Sequence, residues 1–489
     1  MSLKVFAKYT LIYSIGNIAV RLSTFLLIPL YTHYLSVTDY GLLSTMLLTT
    51  QILVMLIDFG MMPSLIRFSN EYEKENETGL LLGSSILINL LSGFIISIVS
   101  LFLIKALFEL SFNISTGLQY SILMIGSSIF QCYSLNLLSH FRAINKAKFF
   151  IIISITQTII YLFTTILFVI RFGWGINGVF LAQIFSYGFF WVILLFFIIK
   201  DNKLKASKST IKKLIKFGSP LIFARGGDLI LDAFMLYTIG YFVNLAEVGI
   251  YSLAVKIASI LLVLLIVPFQ LSYEPYIYSQ LEEKELPERI SKIFTYLILV
   301  FVFSAIILLT LFKYFITIIA PPEYYPSYYL IFFIIPIYAF RGINSISQTL
   351  IHIQKRTNIT GIIVFIFTVV AIIPGYFLIK NFGIYAAILI SNLYWFSVSF
   401  VLFIFGQKLY PIKLESKRLI YLITIYLSFN IIIYSLSYTK ILIFYPIISA
   451  LLILVFYVLL KINFFDIKER TIMHNSFAKL LNLIRLKVV

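Results

Sequence analysis

The sequence predicts an all-α membrane protein, and three observations predict it. The 489 residues are 61% hydrophobic and only 12% charged, with a mean hydropathy of +1.01. A soluble chain of this size is about half apolar and about a quarter charged. Apolar runs of roughly 20 residues, the length that crosses a hydrocarbon core, recur along the chain. Lys and Arg are shared unevenly between successive connecting segments, which is how a multi-pass protein records its topology. The formal charge of +18 would by itself suit a nucleic-acid partner. Its concentration in alternate loops does not, and no such partner is expected.

About fourteen spans are expected, over residues 9–31, 42–66, 80–104, 117–140, 149–170, 177–199, 218–242, 250–272, 293–316, 328–352, 358–379, 384–406, 418–436 and 441–460. Lys4 and Lys8 precede the first. It is too long for a signal-peptide core and lacks a small-residue cleavage pattern. The single Cys132 excludes an internal disulfide framework. The segments after odd-numbered spans, with the last residues of those spans, contain only Lys105, Arg171, Lys313, Lys380 and Lys440, whereas residues 200–216 alone carry Lys200, Lys203, Lys205, Lys208, Lys212, Lys213 and Lys216. The positive-inside rule then puts both termini in the cytoplasm. Residues 464–489 read either as a basic amphipathic helix on the inner leaflet or as a polar tail.

A shift of 208 residues superposes several landmarks. Lys8-Tyr9 falls on Lys216-Phe217, the loop from Leu35 to Gly41 on the loop from Val243 to Gly249, and Gly175-Ile176 on Gly383-Ile384. The common spacing predicts two six-helix bundles of like orientation, a parallel pseudo-two-fold repeat. The expected organisation is a first bundle over 1–199, a basic linker over 200–217, a second bundle over 218–406, two further helices over 407–462 and a basic tail over 463–489.

The stretch YSIGNIAVRLSTFLLIPLYTHYLSVTDYGLLS and the following IDFGMMPSLIRF, together with this organisation, resemble the polysaccharide-unit flippases of the multidrug/oligosaccharidyl-lipid/polysaccharide (MOP) exporter superfamily. The resemblance covers the whole chain. It implies a V-shaped, MATE-like pair of bundles that works by alternating access. It also implies a bacterial inner-membrane location and a cargo of undecaprenyl-pyrophosphate-linked oligosaccharide, with a polysaccharide polymerase as a candidate partner. The chain is expected to act as a monomer among membrane lipids.

Charges inside the spans are the candidate site. A cation at the centre of a membrane helix costs about 2.5–3.5 kcal/mol on insertion scales, and Arg21, Arg225, Lys256 and Arg341 all fall within spans. Arg21, one turn beyond Asn17, reads either as a structural partner of Asp58 or as an anion-binding group. Arg225, Asp228 and Asp232 share one helix face by their spacing. Arg225 and Asp228 can pair locally, which leaves Asp232 without a local partner, a candidate for carrying H+ or Na+ or for neutral burial. Lys256 reads as a cavity group or as a snorkelling lysine. Arg341 is too deep to snorkel, and Asn344, Ser345 and Gln348 follow it. Such groups hydrogen-bond sugar hydroxyls or join helices. The anionic-headgroup set is therefore Arg21, Arg225, Lys256 and Arg341. The ion-coupling set is Asp58, Asp228 and Asp232, and the sugar-contact set is Asn17, Asn344 and Gln348. Four deep cations against three carboxylates favour an anionic cargo such as a pyrophosphate.

Other signals carry little. Gly173-x-Gly175-x-x-Gly178 has no preceding strand, and no Walker A sequence is present, so neither dinucleotide binding nor direct ATP coupling is expected. No metal spacing or nucleophile triad appears, so neither a cofactor nor an enzymatic activity is expected. Coupling to a H+ or Na+ gradient or to the membrane potential is expected instead. The alternatives are a multidrug exporter of the same fold, a lipid II flippase, and a membrane glycosyltransferase or polymerase. The last needs larger external loops than these.

Overall fold

The computed structural model describes residues 24–114, 117–144, 146–354, 356–437, 441–461 and 464. Those residues form helices joined by short connections. The helices are α1 (24–34), α2 (Val37–Asp58), α3 (Met61–Lys74), α4 (Thr78–Phe112), α5 (Gly117–Ala143), α6 (Ala147–Ile166), α7 (Gly175–Asp201), α8 (Lys208–Phe242), α9 (Leu245–Ala258), α10 (Val267–Ser279), α11 (Leu286–Ile319), α12 (Pro326–Ile353), α13 (Thr357–Leu409), α14 (Ser416–Leu436) and α15 (Ile441–Lys461). Single π turns extend α6 and join α9 to α10.

Ten helices among the described residues are long and apolar enough to cross a membrane, so the expected fourteen spans are not met one for one. Most of the first expected span lies outside the described residues. The charges on α8 keep it from qualifying by composition. The two spans expected at 358–379 and 384–406 run together as α13, interrupted only at Gly383, whose φ of 58° and ψ of −136° are non-helical. Glycine tolerates that conformation without a Cβ penalty.

The repeat is visible in the caps. Ser36 accepts from the Asp39 amide at 3.0 Å and opens α2. Asn244 accepts from the Glu247 amide at 2.8 Å and opens α9. These pairs are 208 residues apart, and a side-chain acceptor satisfies an otherwise orphaned amide at each helix start. Gly175 and Gly383, also related by the shift, both have positive φ.

The span expected over 42–66 is not continuous: α2 starts at Val37 and ends at Asp58, and the chain turns through Phe59 and Gly60, both left-handed, into α3. Asp58 is therefore a helix-terminal residue, and its carboxylate accepts from the Met62 amide at 2.9 Å.

The chain divides into two compact units. One comprises Met1–Ile290 with Phe315–Ile412, the other Ser291–Tyr314 with Lys413–Val489. In the second unit the Lys313 ammonium donates to the Leu436 carbonyl at 3.2 Å and lies 4.1 Å from the Phe444 ring centroid, and the Tyr445 hydroxyl donates to the Thr310 carbonyl at 3.3 Å.

In the first unit, α8 changes company along its length. Leu214 is fully buried in a core with Met61, Leu65, Phe68, Tyr72, Leu81 and Leu82, a contact worth about 1.5–3 kcal/mol. The Lys213 ammonium bonds Glu71 at 2.7 Å and covers the rings of Phe68 and Tyr72. This hydrogen bond holds the Glu71 carboxyl below the usual carboxylate range and raises the Lys213 ammonium. The preceding residues form a strap on α4, with the Lys205 amide donating to the Gly79 carbonyl and the Ser207 amide to Ser84. Beyond Pro220, α8 packs on α13: a Cβ on Gly227 would stand 2.9 Å from Val364.

Candidate functional site

Arg341 lies in the middle of α12. Its Nη2 is 3.8 Å from Oδ2 of Asp232 on α8. Its guanidinium is 4.3 Å from the Trp395 ring centroid and 5.6 Å from that of Tyr338, within the range of cation–π attraction. Nε is buried with no hydrogen-bond partner among the described residues. The arrangement holds the guanidinium plane against aromatic faces and leaves an edge donor unused.

One turn before Asp232 on α8, Asp228 has a different environment. The Tyr394 hydroxyl donates to its Oδ1 at 2.9 Å, and the Thr368 hydroxyl donates to Tyr394 at 3.4 Å. Both partners come from α13. One carboxylate is thus fixed by a short bond, and the other, itself 46% exposed, is loosely paired. The Asp232 partner comes from another helix, where local spacing could not find it.

Arg21 and Asn17 lie outside the described residues, as does the side chain of Arg225. Lys256 sits in the last turn of α9, its ammonium 5.9 Å from the Phe25 ring centroid of α1. The neighbouring Val255 carbonyl accepts from Tyr338 at 3.1 Å, so this part of α9 adjoins the α12 turn that leads to Arg341. Asn344 is buried with Oδ1 unpartnered, as is the Ser345 hydroxyl, and Gln348 is half-buried on the same helix. Asp58 ends α2, where its carboxylate accepts from the Met62 amide. The structure therefore gathers Arg341, Asp228 and Asp232. The sequence reading missed Trp395, Tyr394, Tyr338 and Thr368, which the rest of an aromatic-rich chain conceals.

Amides and hydroxyls also bond one another inside the first bundle. Tyr31 and Tyr161 share a hydrogen bond at 3.2 Å, Gln183 donates to Tyr161 at 3.4 Å, and Gln157 donates to Ser134 at 3.1 Å. Among the described residues no three His, Cys, Asp or Glu side chains come together to hold a metal.

A sequence profile described as "Polysaccharide biosynthesis protein" matches residues 6–281. The chain belongs to that family. The resemblance to polysaccharide-unit flippases of the MOP superfamily is thereby confirmed. No curated protein matches this family member. Its fold is that of solved MOP transporters. An inward-facing multidrug-resistance MATE transporter superposes with a TM-score of 0.64 at 15% identity, over 83% of this chain and 94% of that one. An outward-facing one gives 0.57 at 14% identity, over 82% and 95%. A Pyrococcus furiosus MOP transporter, described as having a binding pocket of reverse polarity that suggests a different function, gives 0.54 at 13% identity, over 82% and 95%. At these identities the likeness is one of fold. Family and fold are those of multi-pass membrane transporters, not enzymes.

Proposed function

We propose that this family member is a secondary transporter that flips an undecaprenyl-pyrophosphate-linked oligosaccharide from the cytoplasmic to the outer leaflet of the bacterial inner membrane. The observation that carries the reading is Arg341: a guanidinium deep in an apolar helix, braced on Trp395 and only loosely paired with Asp232. A planar fork of donors matches phosphate oxygens, and the pyrophosphate is the anionic part of such a cargo. Asn344 and Gln348, on the same helix, are the candidates for sugar hydroxyls. The polyprenyl tail stays in lipid while the headgroup crosses.

In this reading both termini are cytoplasmic, which makes the 36–41 and 244–249 loops external. An inside-negative potential favours outward movement of an anion by about 2.3 kcal/mol per charge per 100 mV. Asp228 and Asp232 are the candidates for coupling to H+ or Na+. The product on the outer leaflet would be consumed by a polymerising glycosyl transfer.

A multidrug exporter is the second reading, favoured by the fold likeness to multidrug-resistance transporters. Cationic drugs suit acidic groups, and Asp228 and Asp232 beside Arg341 would supply them. Deletion of the gene tests both readings. Loss of surface polysaccharide, restored by the wild type and not by Arg341→Ala at equal protein level, supports the flippase. Intact polysaccharide with heightened drug sensitivity supports the exporter.

A further inference from the structure

The Asp232–Arg341 pair has the wrong length for a lock. Charge-assisted N–H···O bonds close to about 2.7–2.9 Å, and Nη2–Oδ2 here is 3.8 Å. The carboxylate is 46% exposed and the guanidinium 19%, so Asp232 is the more open partner. Asp228 shows what a held carboxylate looks like in the same bundle, with a 2.9 Å bond from Tyr394. Arg341 is braced by Trp395 and Tyr338, so of the two partners Asp232 is the one free to leave.

Among the described residues, the other titratable groups facing Asp232 are Asp228 on α8, Tyr251 on α9, Tyr338 beside Arg341 on α12, and Tyr394 on α13. The helices α2 and α4 also pack on α8, and their described contacts with it are apolar or hydroxyl. Met55 meets Gly226, Thr49 bonds Tyr237, and Phe108 and Phe112 lie on the Tyr237 ring.

We propose that Asp232 is a placeholder for the cargo's phosphate at Arg341. The anionic headgroup displaces the carboxylate from the guanidinium, and the released carboxylate takes up one monovalent cation, a proton or Na+. Cargo and cation then promote each other's binding, and linkage makes the effect reciprocal. This rests on the reading of Arg341 as the headgroup site and adds to it the occupant of that site between cycles and the sign of the coupling.

The test uses the full chain purified in detergent and a short prenyl-pyrophosphoryl-sugar, whose diester phosphates stay ionised across the near-neutral range. Affinity is measured against pH, and separately against Na+ with choline keeping ionic strength constant. The wild type should bind more tightly at lower pH if the cation is a proton, or with Na+ if it is sodium. Asp232→Asn should bind on the order of tenfold more tightly at neutral pH without Na+ and lose the cation dependence. Asp232→Glu should keep that dependence, and the exposed Glu71→Gln should behave as wild type. If Asp232→Asn binds no more tightly and keeps its cation dependence while Arg341→Ala abolishes binding, the placeholder is wrong and the headgroup site stands. If Arg341→Ala binds as the wild type does, the headgroup site itself is wrong and the placeholder falls with it.

Discussion

Gly41 of α2 and Gly249 of α9 meet backbone to backbone across the two halves of the repeat. A Cβ on Gly41 would collide with the Leu245 carbonyl and stand 2.9 Å from the Gly249 nitrogen. A Cβ on Gly249 would collide with the Val37 carbonyl and stand 3.3 Å from the Gly41 nitrogen. Val37 and Leu245 are themselves related by the 208-residue shift, so each half presents the same carbonyl to the other's glycine. In the proposed orientation this seam lies on the external side.

Side chains at the seam should open it. Both glycines are helical, where a larger residue is ordinarily favoured by up to about 1 kcal/mol, so any loss reports the contact and not the helix. Thr45, fully buried one turn further along α2, is the probe. In a Cys132→Ala background, Thr45→Cys should react slowly with a membrane-impermeant thiol reagent. Adding Gly41→Val, with overpacking of about 1–3 kcal/mol, should raise the rate about tenfold or more.

Tyr394 should matter through its hydroxyl. Tyr394→Phe keeps the ring and removes the donor to Asp228, a hydrogen bond to a charged group worth about 1.5–3 kcal/mol. A lower apparent melting temperature in detergent is expected. Thr368→Val, which removes the weaker 3.4 Å contact to Tyr394 and a bond within its own helix to the Val364 carbonyl, should change it less.

Trp395 should matter through its face. Trp395→Phe retains a ring under the guanidinium, whereas Trp395→Leu removes it along with a cation–π attraction of about 0.5–2 kcal/mol. Headgroup binding should fall several-fold with Leu and little with Phe.

The Glu71–Lys213 pair predicts a pH window. The Glu71 pKa is lowered by its bond to Lys213, so its contribution is present above the ordinary glutamate range and is lost as pH falls through the lowered value. The raised Lys213 loses its contribution only as pH climbs through the raised lysine value. Both groups are surface-exposed, so the effect is small and salt-screened. The stability difference between wild type and Glu71→Gln should be greatest near neutral pH in low salt and vanish in acid.

The repeat was legible because it is written in backbone demands. Ser36 and Asn244 cap, and Gly41, Gly249, Gly175 and Gly383 stand where close approach or positive φ requires glycine. The depth of Arg341 and Asp232 was legible because ionised groups in apolar runs are rare. Their pairing was hidden, since they lie on helices far apart in sequence and periodicity reports only a helix's own face. The switch of α8 between bundles was hidden for a similar reason. The lysines of 200–216 read as a linker, while the buried face carrying Thr210 and Leu214 joins the first bundle's core. Lys213 conceals that face by laying its stem over Phe68 and Tyr72.

The most direct test of the account is flipping in proteoliposomes that carry a labelled polyprenyl-pyrophosphoryl oligosaccharide, with cargo reaching the far leaflet as the readout. The wild type should translocate it, Arg341→Lys should retain part of the rate, and Arg341→Ala should fall to the protein-free background. Translocation by Arg341→Ala at the wild-type rate would contradict the central claim that this guanidinium holds the headgroup.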